Sequence, residues 1–253
     1  MAVHSILPAE LTDAVDAVLR AAGVPHVAHG DDDPVRAAQA AASDPDAHAV
    51  IGPFRSRAVA EAVEMTAPAG LPLLAPAATW VGVTRDDEPG ADDDPADHRG
   101  TVLRMVARDT VVAHRIAERL AERRALVIAG DHDYGRQLDG QLRMAGLRRA
   151  SGPNDADVIV LAGLAGEPEI DAARALAPLP IVAFDGIQGE AFGGQEVTLA
   201  LAYAPGPTGV AEARRAAEIA VQARDLEEMR ALGPFDEHGD PVDPVVRFER
   251  YDA

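Results

Sequence analysis

Residues 47–79, "AHAVIGPFRSRAVAEAVEMTAPAGLPLLAPAAT", decide the fold. "AHAVIGP" reads as a strand, "SRAVAEAVEMTAPAG" as a helix and "LPLLAP" as the next strand. This is the strand–helix–strand unit of a parallel sheet covered by helices. The last strand runs into small residues, Ala77 and Ala78, then Thr79 and Trp80, the only tryptophan of the chain. So bare a turn at the end of a buried strand lacks any catalytic side chain.

The same alternation extends both ways. Upstream, "VHSIL" is a strand. "AELTDAVDAVLRAAG" is a helix with Leu11, Val15, Val18 and Leu19 on one face and Gly23 as its stop. "VPHVA" is a strand and "DPVRAAQAAAS" a helix. Downstream comes an acidic loop rich in Pro and Gly, "TRDDEPGADDDPADHRG". The alternation then resumes through "DTVVAHRIAERLAERR", "ALVIAG", "GRQLDGQLRMAG", "ADVIVLAG", "EPEIDAARALA", "LPIVAFDG" and "EVTLALAYAP". One long helix, "GVAEARRAAEIAVQARDLEEMRAL", and a final strand complete the chain. The expected architecture is α/β, with two Rossmann-like lobes of parallel strands flanked by helices and joined by a multi-strand hinge. Lobe 1 is expected at 1–105 plus 207–234, and lobe 2 at 106–206 plus 235–253. No solenoid repeat is visible.

Composition narrows the chemistry. The 253 residues are 47% hydrophobic and 26% charged, as in a globular protein. The net charge of -19 opposes nucleic acid and anionic membranes as partners. No apolar run is long enough to cross a membrane. The first residues lack a basic region followed by an apolar core, so the expectation is a cytoplasmic protein, or an extracytoplasmic one if an export signal has been removed. There is no cysteine, and all 23 basic residues are arginine. Disulfides, thiolate metal sites, cysteine nucleophiles, Schiff bases and a Walker A loop are thereby excluded. No G-x-S-x-G elbow or G-x-G-x-x-G loop is present. The acidic loop 86–98 lacks the residue order of an EF-hand and reads as a solvated face. His132, between two aspartates, reads as a turn residue. No cofactor, metal or catalytic residue is expected.

Five segments, in order, resemble the type I periplasmic binding proteins, in the branch that binds leucine, isoleucine, valine and related small ligands. "AVIGPFRS" resembles the strand and loop ahead of that family's ligand-contacting serine. "GLPLLAPAAT" resembles its G-(V/I)-P-(L/M)-(I/L)-S-P-(S/A)-A-T segment. "DHDYG" resembles the turn that opens its second lobe, "LPIVAFDG" a strand ending at the ligand, and "GPFDEHGDP" its C-terminal G-P-x-x-F-D-x-x-G-D.

The resemblance implies a set of ligand-binding residues. Ser56, at a helix start, is placed to hold a carboxylate; its plainer reading is a helix cap. Ala77, Ala78 and Thr79 would grip carboxylate and ammonium through main-chain groups and the threonine hydroxyl, with Trp80 as an apolar wall. Asp185 would neutralise an ammonium. Tyr134 would close over the ligand, and Arg57 would meet a second anionic group or be simply solvated. Leu164 and Ala165 would add an apolar surface. The implied function is a non-catalytic binding protein that closes two lobes around an amino acid or a related small carboxylate or amide. A second reading stands beside it: a cytosolic protein using this fold as a ligand sensor or as a metabolic enzyme. A protein partner or a homodimer is left open.

Overall fold

The computed structural model describes residues 1–85, 88, 99–130, 132–163, 167–184, 192, 195–204 and 208–251, without the side chains of Arg99 and Glu167. The chain divides into two compact units, Met1–Arg108 with Tyr203–Val245, and Asp109–Ala202 with Val246–Ala253.

Unit 1 holds a five-stranded sheet. Its strands are β1 (Ala2–Ile6), β2 (His26–His29), β3 (Ala47–Ile51), β4 (Leu73–Ala75) and β5 (Val102–Arg104), all parallel, in the order β2-β1-β3-β4-β5. Side chains alternate along each strand, so both faces bury apolar groups. One face carries Val3, Leu7, Ile51, Leu74 and Leu103, covered by α1 (Ala9–Ala21) and α7 (Val210–Gln222). The other carries Ile6, Val50, Leu73, Ala75 and Val102, covered by α2 (Pro34–Ser43) and α3 (Ser56–Thr66). β1 is the first strand, and the order reverses between β1 and β3. Sheets of this kind bind ligands beyond the carboxyl ends of their strands at such a point. The chain is tightly drawn there. Gly52, just past β3, has φ +100°, and a Cβ on it would lie 2.3 Å from the Ile6 carbonyl oxygen.

Unit 2 is built on β6 (Ala125–Ala129), β7 (Val158–Ala162), β8 (Ile181–Phe184), β9 (Val197–Leu201) and β10 (Arg247–Tyr251), in the order β10-β9-β8-β7-β6. Only β10 runs antiparallel. A trace of one more strand remains on the far side of β6, where Arg149 makes a single parallel bridge to Ala125. The reversal of strand order in this unit therefore lies between β6 and β7. Its helices are α4 (Asp109–Arg119), α5 (Asp133–Met144) and α6 (Glu167–Arg174). The guanidinium of Arg119 stacks 4.6 Å from the Phe248 ring centre, joining α4 to β10.

Two local expectations change. β5 lies in a stretch read as a connection; its Val102 and Leu103 point to opposite faces of the unit 1 sheet, and both are buried. The long C-terminal helix is two helices, α7 and α8 (Leu226–Leu232). Asp225 breaks it by capping α8, its side chain accepting the Glu228 N–H at 2.9 Å.

The β1–β2 edge holds a short histidine chain. The His4 and His29 rings stack at 5.4 Å, His4 Nδ1 and His29 Nε2 are 3.1 Å apart, and His4 Nε2 is 3.0 Å from Asp44. A carboxylate only accepts, so His4 donates to Asp44 and His29 donates to His4. Burial, then the charges of His4 and His26, lower the pKa of His29 below 6.5. The unfolded chain thus takes up a proton that the folded one resists. Stability is full above about pH 6.5 and falls as pH drops towards the lowered folded value. We expect a lower urea midpoint at about pH 5.5 than at about pH 7.5, with the difference shrinking in His29→Gln. Equal midpoints at the two pH values would count against this account.

Candidate functional site

β4 ends at Ala75, and the chain then turns through 76–80 at the carboxyl end of the unit 1 sheet. Pro76 has no N–H. Among the described residues, no acceptor meets the N–H groups of Ala77, Ala78 or Thr79, or the Thr79 hydroxyl. The three residues are only 6%, 0% and 8% exposed. Buried backbone donors are almost always paired within a folded protein. Three successive donors beside a hydroxyl thus stand without an acceptor among the described residues.

Three carbonyls of the same turn, those of Ala77, Ala78 and Trp80, are occupied. The Tyr203 hydroxyl donates to the Ala77 carbonyl at 3.3 Å. Arg104 donates to the Ala78 and Trp80 carbonyls at 2.5 and 3.0 Å.

Ser56 joins this group directly. It is the first residue of α3, whose N-cap is Arg55, so the capping reading of Ser56 does not hold. Its Oγ instead accepts the Trp80 N–H at 3.3 Å. That bond ties the start of α3 to the turn. The N-terminal amides of α3 add orphan donors and the positive end of the helix dipole. Trp80 is half-buried against the α3 side of the core and lies over Gly82, where a Cβ would come within 2.3 Å of the ring.

Arg57 points to solvent, its side chain 93% exposed, with Nε 3.2 Å from Glu61 one helical turn on. In unit 2, the Tyr134 hydroxyl donates to Asp109 at 3.2 Å. β8 ends at Phe184, and Asp185 lies outside the described residues, as do Leu164, Ala165 and all of the acidic loop except Glu88. His132 caps α5, its Nδ1 accepting the Gly135 N–H at 3.0 Å. Among the described residues no cluster of His, Asp and Glu has the arrangement of a metal site.

Sequence reasoning missed Arg104, Asp240 and Tyr203. Asp240 lies in the quoted "GPFDEHGDP", and its carboxylate meets Thr84 at 2.6 Å, Arg85 and Arg108 at 2.8 Å and Arg104 at 2.9 Å. Burial alone would raise its pKa, but the nearby Arg104 charge and the bonds from Thr84, Arg85 and Arg104 hold it far below the usual carboxylate range. The signal for Arg104 was a charged residue inside the apolar run "TVLRMV", which requires a partner if buried.

No protein-family model and no curated protein matches the chain. Solved structures do. An ABC transporter substrate-binding protein from Desulfitobacterium hafniense matches with a TM-score of 0.75 at 20% identity, covering 99% of each chain. One from the same organism in complex with Leu has a TM-score of 0.74 at 19% identity, covering 100% of this chain and 97% of that one. The branched-chain amino acid transporter substrate-binding protein LivJ from Streptococcus pneumoniae, in complex with isoleucine, matches at 0.65 and 16% identity over 99% of each. The fold is that of the type I periplasmic binding proteins, as the resemblance implied. Among the described residues no helix is long and apolar enough to cross a membrane.

Because Ser56 binds Trp80 rather than capping α3, Ser56→Ala should leave helix content unchanged. The stability loss should be about 0.5–1.5 kcal/mol, that of one neutral hydrogen bond. Trp80 emission should shift at the same time. A change in far-UV circular dichroism with unaltered Trp80 emission would restore the capping role.

Proposed function

We propose that the chain is a non-catalytic binding protein for an amino acid or a related small carboxylate or amide, working by the closure of two lobes that the resemblance implies. The observation that carries this reading is the turn 77–79, with its three unmatched N–H groups and the Thr79 hydroxyl at the carboxyl end of β4. Two carboxylate oxygens offer about four lone-pair sites, which suits several convergent donors better than one cation. Ser56 and the start of α3 stand beside the turn and favour the same charge. On the resemblance, Asp185 takes the ammonium, and Tyr134 and Trp80 bound the rest of the ligand.

Ser56 Oγ accepts the Trp80 N–H, and among the described residues no His, Asp or Glu is hydrogen-bonded to Ser56 or Thr79. A hydroxyl without a base is a weak nucleophile. The donors at 77–79 are then positioned to bind a ground-state carboxylate.

Titration calorimetry against leucine, isoleucine, other amino acids, their amides and small carboxylates tests the reading. At least one member should bind, with an apolar amino acid bound more tightly than its amide. Thr79→Val should weaken that ligand about ten-fold or more, the loss of one charge-assisted hydrogen bond. Folded protein that binds none of the panel, or that turns over a member, would overturn it.

A further inference from the structure

We propose that Arg104, oriented by Asp240, is the positioning residue of the turn 76–81 and sets its ligand affinity without touching the ligand. This rests on the turn being the binding site.

Arg104 is the last residue of β5, on the same side of the sheet as Val102 and fully buried. Its Nη1 donates to the carbonyls of Ala78 at 2.5 Å and Trp80 at 3.0 Å. Its Nη2 donates to Thr84 Oγ1 at 2.7 Å and lies 3.5 Å from the Val81 carbonyl oxygen. Its Nε donates to Asp240 at 2.9 Å. One planar group thus fixes three carbonyls of one turn and is itself fixed by a carboxylate. A guanidinium has donors in a rigid fork, and an ammonium does not.

Rotating a peptide unit moves its carbonyl and its N–H together. Holding the Ala78 carbonyl aims the Thr79 N–H, and holding the Trp80 carbonyl limits the turn on its far side. The carbonyl of Ala77, and with it the Ala78 N–H, is fixed separately by Tyr203. Arg104 therefore governs the direction of the Thr79 N–H, one of the donors that the ligand would meet.

Asp240 is in turn set by its own loop. Asp236 accepts the N–H groups of His238 and Asp240 at 2.9 and 3.0 Å, and the Asp236 N–H donates to the Asp240 carbonyl at 2.8 Å. Gly239, at φ +87°, lets the loop approach β5; a Cβ there would lie 2.0 Å from the Val102 carbonyl oxygen. The Arg104 N–H donates to the Gly239 carbonyl at 2.8 Å. The C-terminal motif is thus a brace for the turn, reaching it through Arg104.

The experiment compares wild type, Arg104→Lys, Thr84→Val and Val15→Ala by leucine titration, Trp80 emission and hydrogen exchange. Thr84→Val is the milder variant, since it removes one contact to each of Arg104 and Asp240. Val15→Ala loosens the core of unit 1 away from the turn and controls for lost stability. Arg104→Lys should weaken leucine binding by about ten- to a hundred-fold, the range seen when groups orienting metal ligands are lost. It should also shift Trp80 emission and speed exchange of the N–H groups of Trp80, Val83 and Thr84. Thr84→Val should do the same to a smaller degree, and Val15→Ala should do neither at matched stability. If wild type binds neither leucine nor any other member of the panel, the functional reading fails. Emission and exchange still decide the positioning role. Unchanged emission and exchange in a folded Arg104→Lys or Thr84→Val, or the same changes in Val15→Ala, would overturn it.

Discussion

The buried carboxylate of Asp240 organises the site-bearing end of unit 1. An ion removed from water costs several kcal/mol unless its partners replace the lost hydration. Asp240 finds them in Arg85, Arg104, Arg108 and Thr84. Three guanidiniums around one carboxylate would leave an excess positive charge, which Asp236 on Arg85 and Glu88 on Arg108 offset. Among the described residues the cluster's charges balance, and its members come from β5, from the loops on either side of it and from the C-terminal loop. The arrangement fixes where these segments lie more than it adds stability, since paired buried charges often do no better than apolar packing.

A chain of net charge -19 is an unexpected host for the carboxylate of the proposed ligand. The proposed grip on that carboxylate uses no cation. Arginines such as Arg20, Arg57, Arg136 and Arg143 pair with carboxylates three or four residues away on their own helices. The donors at the turn are peptide N–H groups, whose partial charge does not depend on the chain's total. They act at hydrogen-bond range, whereas the overall field is screened within about 8–10 Å at ordinary salt. Small residues at 77 and 78 follow from this, because a main-chain grip requires the ligand to reach the backbone.

The alternation of strands and helices was legible because each element declares itself locally, through apolar period and turn residues. The turn 77–79 was legible as a strand end with nothing but small residues. β5 was not, since its three residues carry too little pattern and depend on β4 for their pairing. The break between α7 and α8 was present as Asp225 and Glu228, a capping pattern that the helical period around it concealed. Arg104 and Asp240 are 136 residues apart in sequence, and no local rule joins them. Their pairing needed the structure, although an arginine in an apolar strand was itself a sign that a carboxylate had to be found.

When main-chain groups supply the polar grip, discrimination between ligands falls to the walls, and Trp80 is the wall of the proposed site whose backbone and ring contacts are both described. Its N–H is held by Ser56 and its carbonyl by Arg104, so the backbone beneath the ring is fixed at both ends. The ring itself rests on Gly82, where no side chain competes for the space. The backbone of Trp80 is thus tied to Ser56 and Arg104, while its ring is placed by Gly82. A change at Gly82 would move the ring and leave Ser56, Arg104 and the donors of 77–79 in place. On the proposed reading, ligand preference can therefore vary without disturbing the buried charges that hold the turn.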